Sequence, residues 1–289
     1  MARQFIADIT PYFHARPIVY VDGGAHTGKI LASLVESGFD LREAHLIEPN
    51  PKAFAALGQT VERLGGRIRR ARLHNLALGA APGRLRMTDA GSMSRVLGPA
   101  AEPEATAEGD FDVDCVTLDS LAWDFEDGHV SILKLDVEGS EPEALRGAAG
   151  LLSRQAIDVI YLEAGLSEGA VQQSYYRTLE DLLAGYGYRI FGIYEQTHEW
   201  PSDSPLLRRV NLGFMSERFA AANPHRLSRE LHRLRVQSAA LATEKDALAA
   251  EAEELRSRVA AAAAEIEAAG HRTGDTRAAD IMSRDLVTV

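Results

Sequence analysis

Residues 17–28 read PIVYVDGGAHTG. Pro17 to Asp22 is a short apolar run of the kind that fills a strand buried on both faces. Gly23, Gly24 and Gly28 follow. Glycine supplies the dihedrals that a sharp turn needs, and it removes the Cβ where a ligand approaches the backbone. Lys29 to Ser37 then has helical spacing, with Ile30, Leu31, Leu34 and Val35 on one side and Gly38 as the stop. A strand, a glycine loop and a helix with unpaired N–H groups and a positive dipole end make the opening unit of a ligand-binding α/β fold.

The same alternation continues outward. Ala44 to Glu48 reads as a second strand, and Pro51 opens a helix that Gly65 and Gly66 close. Arg70 to Leu78 reads as a third strand, and Arg84 to Thr88 as a hairpin partner of Asp112 to Thr117. Between them, Ala90 to Gly109 is rich in Gly, Pro, Ala, Ser and Glu. It reads as a surface loop over a site, with Ser92, Met93 and Ser94 facing the substrate. Val130 to Asp136, helix Glu141 to Arg154, Ile157 to Glu163 and helix Val171 to Ala184 follow. Tyr188 to Tyr194 and Arg208 to Met215 have no helix between them and are expected to pair as a hairpin. Strands joined by helices imply βαβ units and a parallel sheet. The expected fold over residues 1–219 is therefore α/β: a doubly wound, Rossmann-like, mostly parallel seven-stranded sheet with a terminal antiparallel hairpin.

From Asn223 the pattern changes. Asn223 is a good N-cap, Pro224 suits the first helical position, and neither Gly nor Pro recurs before Gly270. Leu227, Leu234, Leu241, Leu248 and Leu255 recur every seven residues, continued by Ala262. Leu231, Ser238, Lys245, Ala252, Val259 and Ile266 form the companion row. This seam predicts a coiled-coil helix over 223–270, roughly 70 Å long, and hence a homo-oligomer. The tail 271–289 contains RAADIMSRDLVTV (277–289), which resembles the opening strand of a CBS domain.

The chain has 289 residues, 46% of them hydrophobic, enough for one large or two modest domains. Its net charge of −11 opposes a phosphate backbone, so no nucleic-acid partner is expected. The basic run Arg67, Arg69, Arg70 and Arg72 reads as a solvated edge strand. Cys115, the one cysteine, lies in an alternating apolar run and reads as a small core residue. No apolar run reaches the ~18 residues of a membrane span, and no secretion signal opens the chain. A cytoplasmic protein without a membrane partner or a metal site is the expectation.

Two stretches carry chemistry. After the glycine loop, Glu48 ends the second strand, where a carboxylate accepts both hydroxyls of a ribose. The loop departs from G-x-G-x-x-G, because Ala25 holds its third position. Asp22 at the loop entry would repel a pyrophosphate and attract an ammonium. S-adenosylmethionine (SAM) has an amino-acid end, a ribose and no phosphate, so the charges favour it over NAD. The second stretch is LKLDVEGSE (133–141), at the carboxyl end of a buried strand, where open α/β sheets bind ligands. Asp136 and Glu138 share a face there, and Lys134 lies one step deeper, needing a carboxylate partner.

With VDGGAHTG (21–28), LIEPNP (46–51), NLALG (75–79), VTLDS (116–120), LKLDVEGSE (133–141) and YLE (161–163) in this order, the chain resembles the FkbM-type methyltransferase family. His26 departs from it, since the family more often carries Asn there. The resemblance implies a class I, SAM-dependent methyltransferase that O-methylates a hydroxyl on a sugar, glycan or secondary metabolite. It implies that Asp22, Gly23, Gly24, Ala25 and Gly28 line the methionine end of SAM. Glu48 and Asn50 would stand at the ribose, and Asn75 and Ala77 at the adenine. Asp136, Glu138 and Glu163 would face the reacting groups, with Asp136 or Glu138 as base; His129 and His198 are the alternative bases. Two competing readings are an NAD-dependent oxidoreductase and an inactive SAM-binding coiled-coil scaffold.

Overall fold

The computed structural model describes residues 2–14, 16–89, 96–99, 109–122, 125–169, 173–199, 204–222 and 225–284. The chain divides into two compact units, Met1–His225 and Arg226–Val289.

The described residues of the first unit hold eleven strands: β1 (Ile18–Gly23), β2 (Leu41–Ile47), β3 (Ile68–His74), β4 (Ala77–Leu78), β5 (Gly83–Met87), β6 (Val96–Pro99), β7 (Phe111–Val116), β8 (Val130–Leu135), β9 (Ile157–Gly165), β10 (Tyr188–His198) and β11 (Leu207–Ser216). Seven form one sheet in the order β10-β11-β9-β8-β1-β2-β3. β1, β2, β3, β8 and β9 run parallel, and β11 is antiparallel to both β9 and β10. The mostly parallel seven-stranded sheet with its terminal hairpin is thus present as read. The chain leaves β1 towards β2 and β3, then returns to β8 on the other side of β1. The strand order reverses there, which opens a crevice at the carboxyl ends of β1 and β8.

Helices cover both faces. On one side lie α1 (Arg3–Phe13), α2 (Lys29–Glu36) and α3 (Pro51–Leu64), whose Phe5, Ile9, Leu31, Leu34 and Leu57 pack against Tyr20, Ile132 and Val159. On the other lie α4 (Leu118–Leu121), α5 (Glu141–Arg146), α6 (Ala149–Ser153) and α7 (Tyr176–Ala184), whose Leu145, Leu151, Leu179 and Leu183 meet Val21, Leu133 and Ile160. The short α8 (Glu217–Ala222) follows β11. Alternate residues of β1 and β8 therefore face opposite cores, which is why those strands read as continuous apolar runs.

Several boundaries differ from the reading. β4 leaves the main sheet and joins β7, β5 and β6 in a second sheet, so Arg70 to Leu78 is two strands. The expected helix 141–154 is broken between α5 and α6, where a Cβ on Gly147 would lie 2.1 Å from the Gly79 carbonyl oxygen. Residues 96–99 of the supposed loop form β6, paired with β5; Ser92, Met93 and Ser94 lie outside the described residues. α1 precedes the first element that the sequence reading placed. β3 is the sheet's edge strand, and its arginines are surface ion-pair partners: Arg69 meets Asp40 at 2.6 Å and Arg70 meets Glu43 at 3.2 Å. Cys115 is buried beside Val113 and Met87.

Among its described residues the second unit is helical, formed by α9 (His225–Arg284), whose first residue ends the first unit. It runs through Gly270 and Gly274, and residues 277–284 are helical where the opening strand of a CBS domain was expected. Alanine and charged helix formers dominate this stretch, and the cost of about 1 kcal/mol per glycine does not end it. The proposed cap Asn223-Pro224 and residues 285–289 lie outside the described residues.

Candidate functional site

The loop after β1 closes by a contact between backbones. Gly24 has φ +74°, and a Cβ there would lie 1.9 Å from the Asp136 carbonyl oxygen. The obligatory glycine is set first by the neighbouring strand end. The amides of Gly24 and Ala25 both donate to the Ile47 carbonyl, at 2.9 and 3.0 Å, and Gly28 N–H donates to Ala25. His26 N–H donates to Glu48 Oε2 at 2.8 Å. These amides are consumed inside the protein, so they do not form the row of free donors that holds a phosphate. His26 itself sits at φ +48°, a left-handed region that His tolerates better than most residues.

Asp22, read from the sequence as a ligand contact, is buried and borders neither opening. It is 1% exposed, accepts from the Tyr20 hydroxyl at 2.8 Å and meets Lys134 Nζ at 3.0 Å. Lys134 Nζ also donates to the Gly24 carbonyl at 2.6 Å. Burial alone would pull Lys134 down, but Asp22 and Asp136 beside it outweigh that and hold it above the usual lysine range. The pair Asp22–Lys134 is a buttress under the loop. The register makes it so: Asp22 lies directly opposite Lys134 on β8, and Lys134 opposite Tyr161 on β9.

Glu48 is the acid that reaches the crevice. Each of its oxygens accepts one backbone N–H, from His26 and from Asn50 at 2.8 Å, which fixes the carboxylate and leaves further acceptor capacity on both. Burial raises its pKa against those two hydrogen bonds. It borders an apolar slot between Ile47, Leu76, Ala77, Leu78, Met87 and Val96. A ribose on Glu48 with a flat base in that slot matches this set, so the residues present fit the adenosine part of SAM. Ala77 is on the slot wall as read, and Met87 and Val96, from the second sheet, were not anticipated.

Asn50 and Asn75 serve the scaffold. Asn50 Oδ1 caps α3 by accepting from Lys52 and Ala53, and its amide donates to Asp89 at 3.0 Å. Asn75 donates to the carbonyls of Glu48 and Pro49 at 2.9 and 3.0 Å, holding the strand end that carries the acid. Gly23 packs under Leu135 and Leu78, and Gly28 caps α2 with φ +75°. Ala25 lines the crevice.

The second opening is a polar cavity of 470 Å³. Ala25, Thr27, Lys29 and Ile30 form one end of it, at the start of α2. Asp136 and Glu138 line both this cavity and the apolar slot, so they stand where the two meet. Tyr161 and Glu163 of β9, Arg209 and Asn211 of β11 and Glu195 of β10 close the far end. Asp136, Glu138 and Glu163, drawn from two strand ends, are thus brought together. Glu138 has φ +52° and Gly139 φ +95°; buried Glu141 braces this turn by accepting from Val137 N–H at 2.9 Å and from the Ser174 hydroxyl. Burial, then the charges of Asp136 and Glu163, push Glu138 up to about 7. Burial and Asp136 likewise raise Glu163, against the pull of its ion-pair partner Arg209. His129 pairs with Asp158 at 3.1 Å before β8 begins, at the edge of the sheet opposite the site, and His198 is exposed at the end of β10. Neither borders the cavity.

No functionally curated protein matches the chain significantly. Similar solved structures include methyltransferase FkbM from Methylobacillus flagellatus, with 20% identity and a TM-score of 0.47 over 68% of this chain and 43% of that one. The chain therefore spans less than half of that protein. Magnesium protoporphyrin IX methyltransferase from Synechocystis, solved with SAM bound, shares 10% identity with a TM-score of 0.43 over 74% and 77%. A putative RNA methyltransferase from Pyrococcus horikoshii shares 14% with a TM-score of 0.41 over 74% and 83%. Residues 22–190, more than half of the chain and all of the glycine loop, Glu48 and the Asp136–Glu138 turn, match the family model described as the methyltransferase FkbM domain, and the chain belongs to this family of methyltransferases.

Proposed function

We propose that the protein transfers a methyl group from SAM to a hydroxyl oxygen of a sugar, glycan or small metabolite. The observation that carries this reading is the Asp136–Glu138 turn, set at the junction of the apolar slot beside Glu48 and a polar cavity. When bound, SAM supplies an electrophilic methyl group on a sulfonium whose positive charge is lost in the reaction. Glu48 would hold its ribose. The first turn of α2, with unpaired amides and a positive dipole end, would take its carboxylate. Asp136, at the cavity mouth with its side chain 45% exposed, would face its cationic groups.

Glu138 then has a plain task. The acceptor O–H gives its proton to the Glu138 carboxylate as the new C–O bond forms and the C–S bond breaks. A carboxyl group near 7 is half ionised at neutral pH and basic enough to take that proton. NAD fits this site less well than SAM, because the amides of Gly24, Ala25, His26 and Gly28 already donate within the protein and leave only the first turn of α2 for a pyrophosphate. The test is a methyl-transfer assay of Glu138→Gln and Asp136→Asn, with SAM affinity measured separately. Glu138→Gln should lose ~10²-fold or more in turnover while still binding SAM. Wild-type turnover in both variants would refute the base.

The reading extends to assembly. Leu234, Leu241, Leu248, Leu255 and Val259 on α9 are 49–69% exposed in the single chain. A heptad row left bare in this way is satisfied by a second helix of the same kind, so the homo-oligomer through a coiled coil stands as part of this proposal.

A further inference from the structure

Helix α9 specifies its partner more closely than a bare leucine row does. Every residue from 236 to 265 is exposed in the single chain. Written as heptads abcdefg, Leu234, Leu241, Leu248 and Leu255 hold the d positions, and Ser238, Lys245, Ala252 and Val259 the a positions. The flanking g positions are Gln237, Glu244, Glu251, Arg258 and Glu265. The flanking e positions are Ala242, Ala249, Arg256 and Ala263. Lys245 inside the seam is costly unless the covering helix brings an anion to it, so it restricts what that helix can be.

A second copy of α9 meets these demands in one arrangement. In a parallel, in-register pair, each a side chain enters a hole bordered by the partner's preceding g residue. Lys245 then lies beside the partner's Glu244. Each g position also faces the partner's e position five residues on, so Glu251 meets the partner's Arg256 on both sides of the seam. The other facing pairs are Gln237 with Ala242, Glu244 with Ala249 and Arg258 with Ala263, and none sets like charges together. Sliding one chain by a heptad brings Arg258 against Arg256. An antiparallel pair joins g to g, and every such alignment that keeps most of this stretch paired sets glutamate against glutamate. Leucine at d with Val259 at a favours two strands. Arg256 also pairs with Glu253 of its own helix at 3.3 Å, but both are 77% exposed, and a surface pair of this kind holds its arginine weakly.

We infer that α9 docks on α9 of a second copy of this chain as a parallel, in-register, two-stranded coiled coil, with Lys245–Glu244 and Glu251–Arg256 contacts between the copies fixing direction and register. Parallel pairing brings the two copies of His225, where each chain passes from its first unit into α9, to the same end. This inference rests on the coiled-coil reading above.

The test uses the full chain with Ser238→Cys or Ala252→Cys, substitutions at a positions that remove no leucine. Under mild oxidation each variant should form a disulfide-linked dimer, because only parallel, in-register helices set both positions opposite themselves within disulfide reach. The wild type, whose Cys115 is buried, should stay unlinked. Sedimentation should give the mass of two chains. Arg256→Glu should weaken self-association roughly fivefold, and adding Glu251→Arg should restore it. An oligomer in which either cysteine fails to link, an assembly of three or more chains, or an association indifferent to these charges would overturn the inference and leave the coiled-coil reading standing. A monomeric wild type would remove that reading and this inference with it.

Discussion

Glu138 shows how one residue is given its chemistry by position. Its backbone is left-handed, its carboxylate is half-buried, and Asp136 and Glu163 stand close enough to hold its proton up to about 7. The rate of methyl transfer should rise with pH through a limb near 7, and Glu138→Gln should abolish that limb. Stability should move the other way. The folded state keeps this proton between the ordinary 4.5 and about 7, whereas the unfolded chain has lost it, so folding is weakened as pH rises through that window. Glu138→Gln should therefore raise the melting temperature at pH 8 more than at pH 5. An equal effect at both would show that the group is not perturbed. At this scale the strand ends were legible: Glu48 and Asp136 directly follow β2 and β8, Glu163 lies in β9, and all three border the crevice, whereas Glu138 reaches it through a left-handed turn. The sequence was read less well for Asp22, Asn50 and Asn75, which also sit at strand ends. Their partners, Lys134, Asp89 and the carbonyls of Glu48 and Pro49, come from elsewhere in the chain; Asp22 and Asn50 are buried, whereas Asn75 stays exposed.

Among elements, the glycine loop was the most legible and its cause the least. The motif located the crevice, yet Gly24 is needed because β1 and β8 converge until its α-carbon meets the Asp136 carbonyl. Gly24→Ala should cost more than the ~1–2 kcal/mol of a left-handed backbone alone, and urea denaturation would measure it. A loss under that figure would show that the strand ends can part without cost. Helix α1 escaped the sequence reading although Phe5, Ile6, Ile9 and Phe13 fall on one face. Pro11 within it and the absence of any motif hid its place behind Tyr161, on which Phe5 stacks. The split of α5 from α6 depends on contact between Gly147 and Gly79, residues 68 apart in sequence, which local pattern cannot show. The second sheet was half legible: β5 and β7 were read as a hairpin, but β4 and β6 are held only by pairing with them.

For the whole molecule, the net charge is −11, while the polar cavity mixes Asp136, Glu138, Glu163 and Glu195 with Lys29, Lys134, Arg208 and Arg209. No described helix is long and apolar enough to cross a membrane. The heptad row was legible because it is a one-dimensional pattern, and the single helix leaves it bare. The full chain should sediment as an oligomer, and Leu241→Lys with Leu248→Lys should make it monomeric. A wild-type monomer would end the coiled-coil proposal without touching the catalytic one. The central claim, that Glu48 and the adjoining slot bind SAM, is tested most directly by calorimetric titration of SAM into the wild type and Glu48→Ala. The account predicts binding in the micromolar range that the variant loses while remaining folded. Folded wild-type protein that takes up no SAM, or a Glu48→Ala variant that binds it equally well, would contradict it.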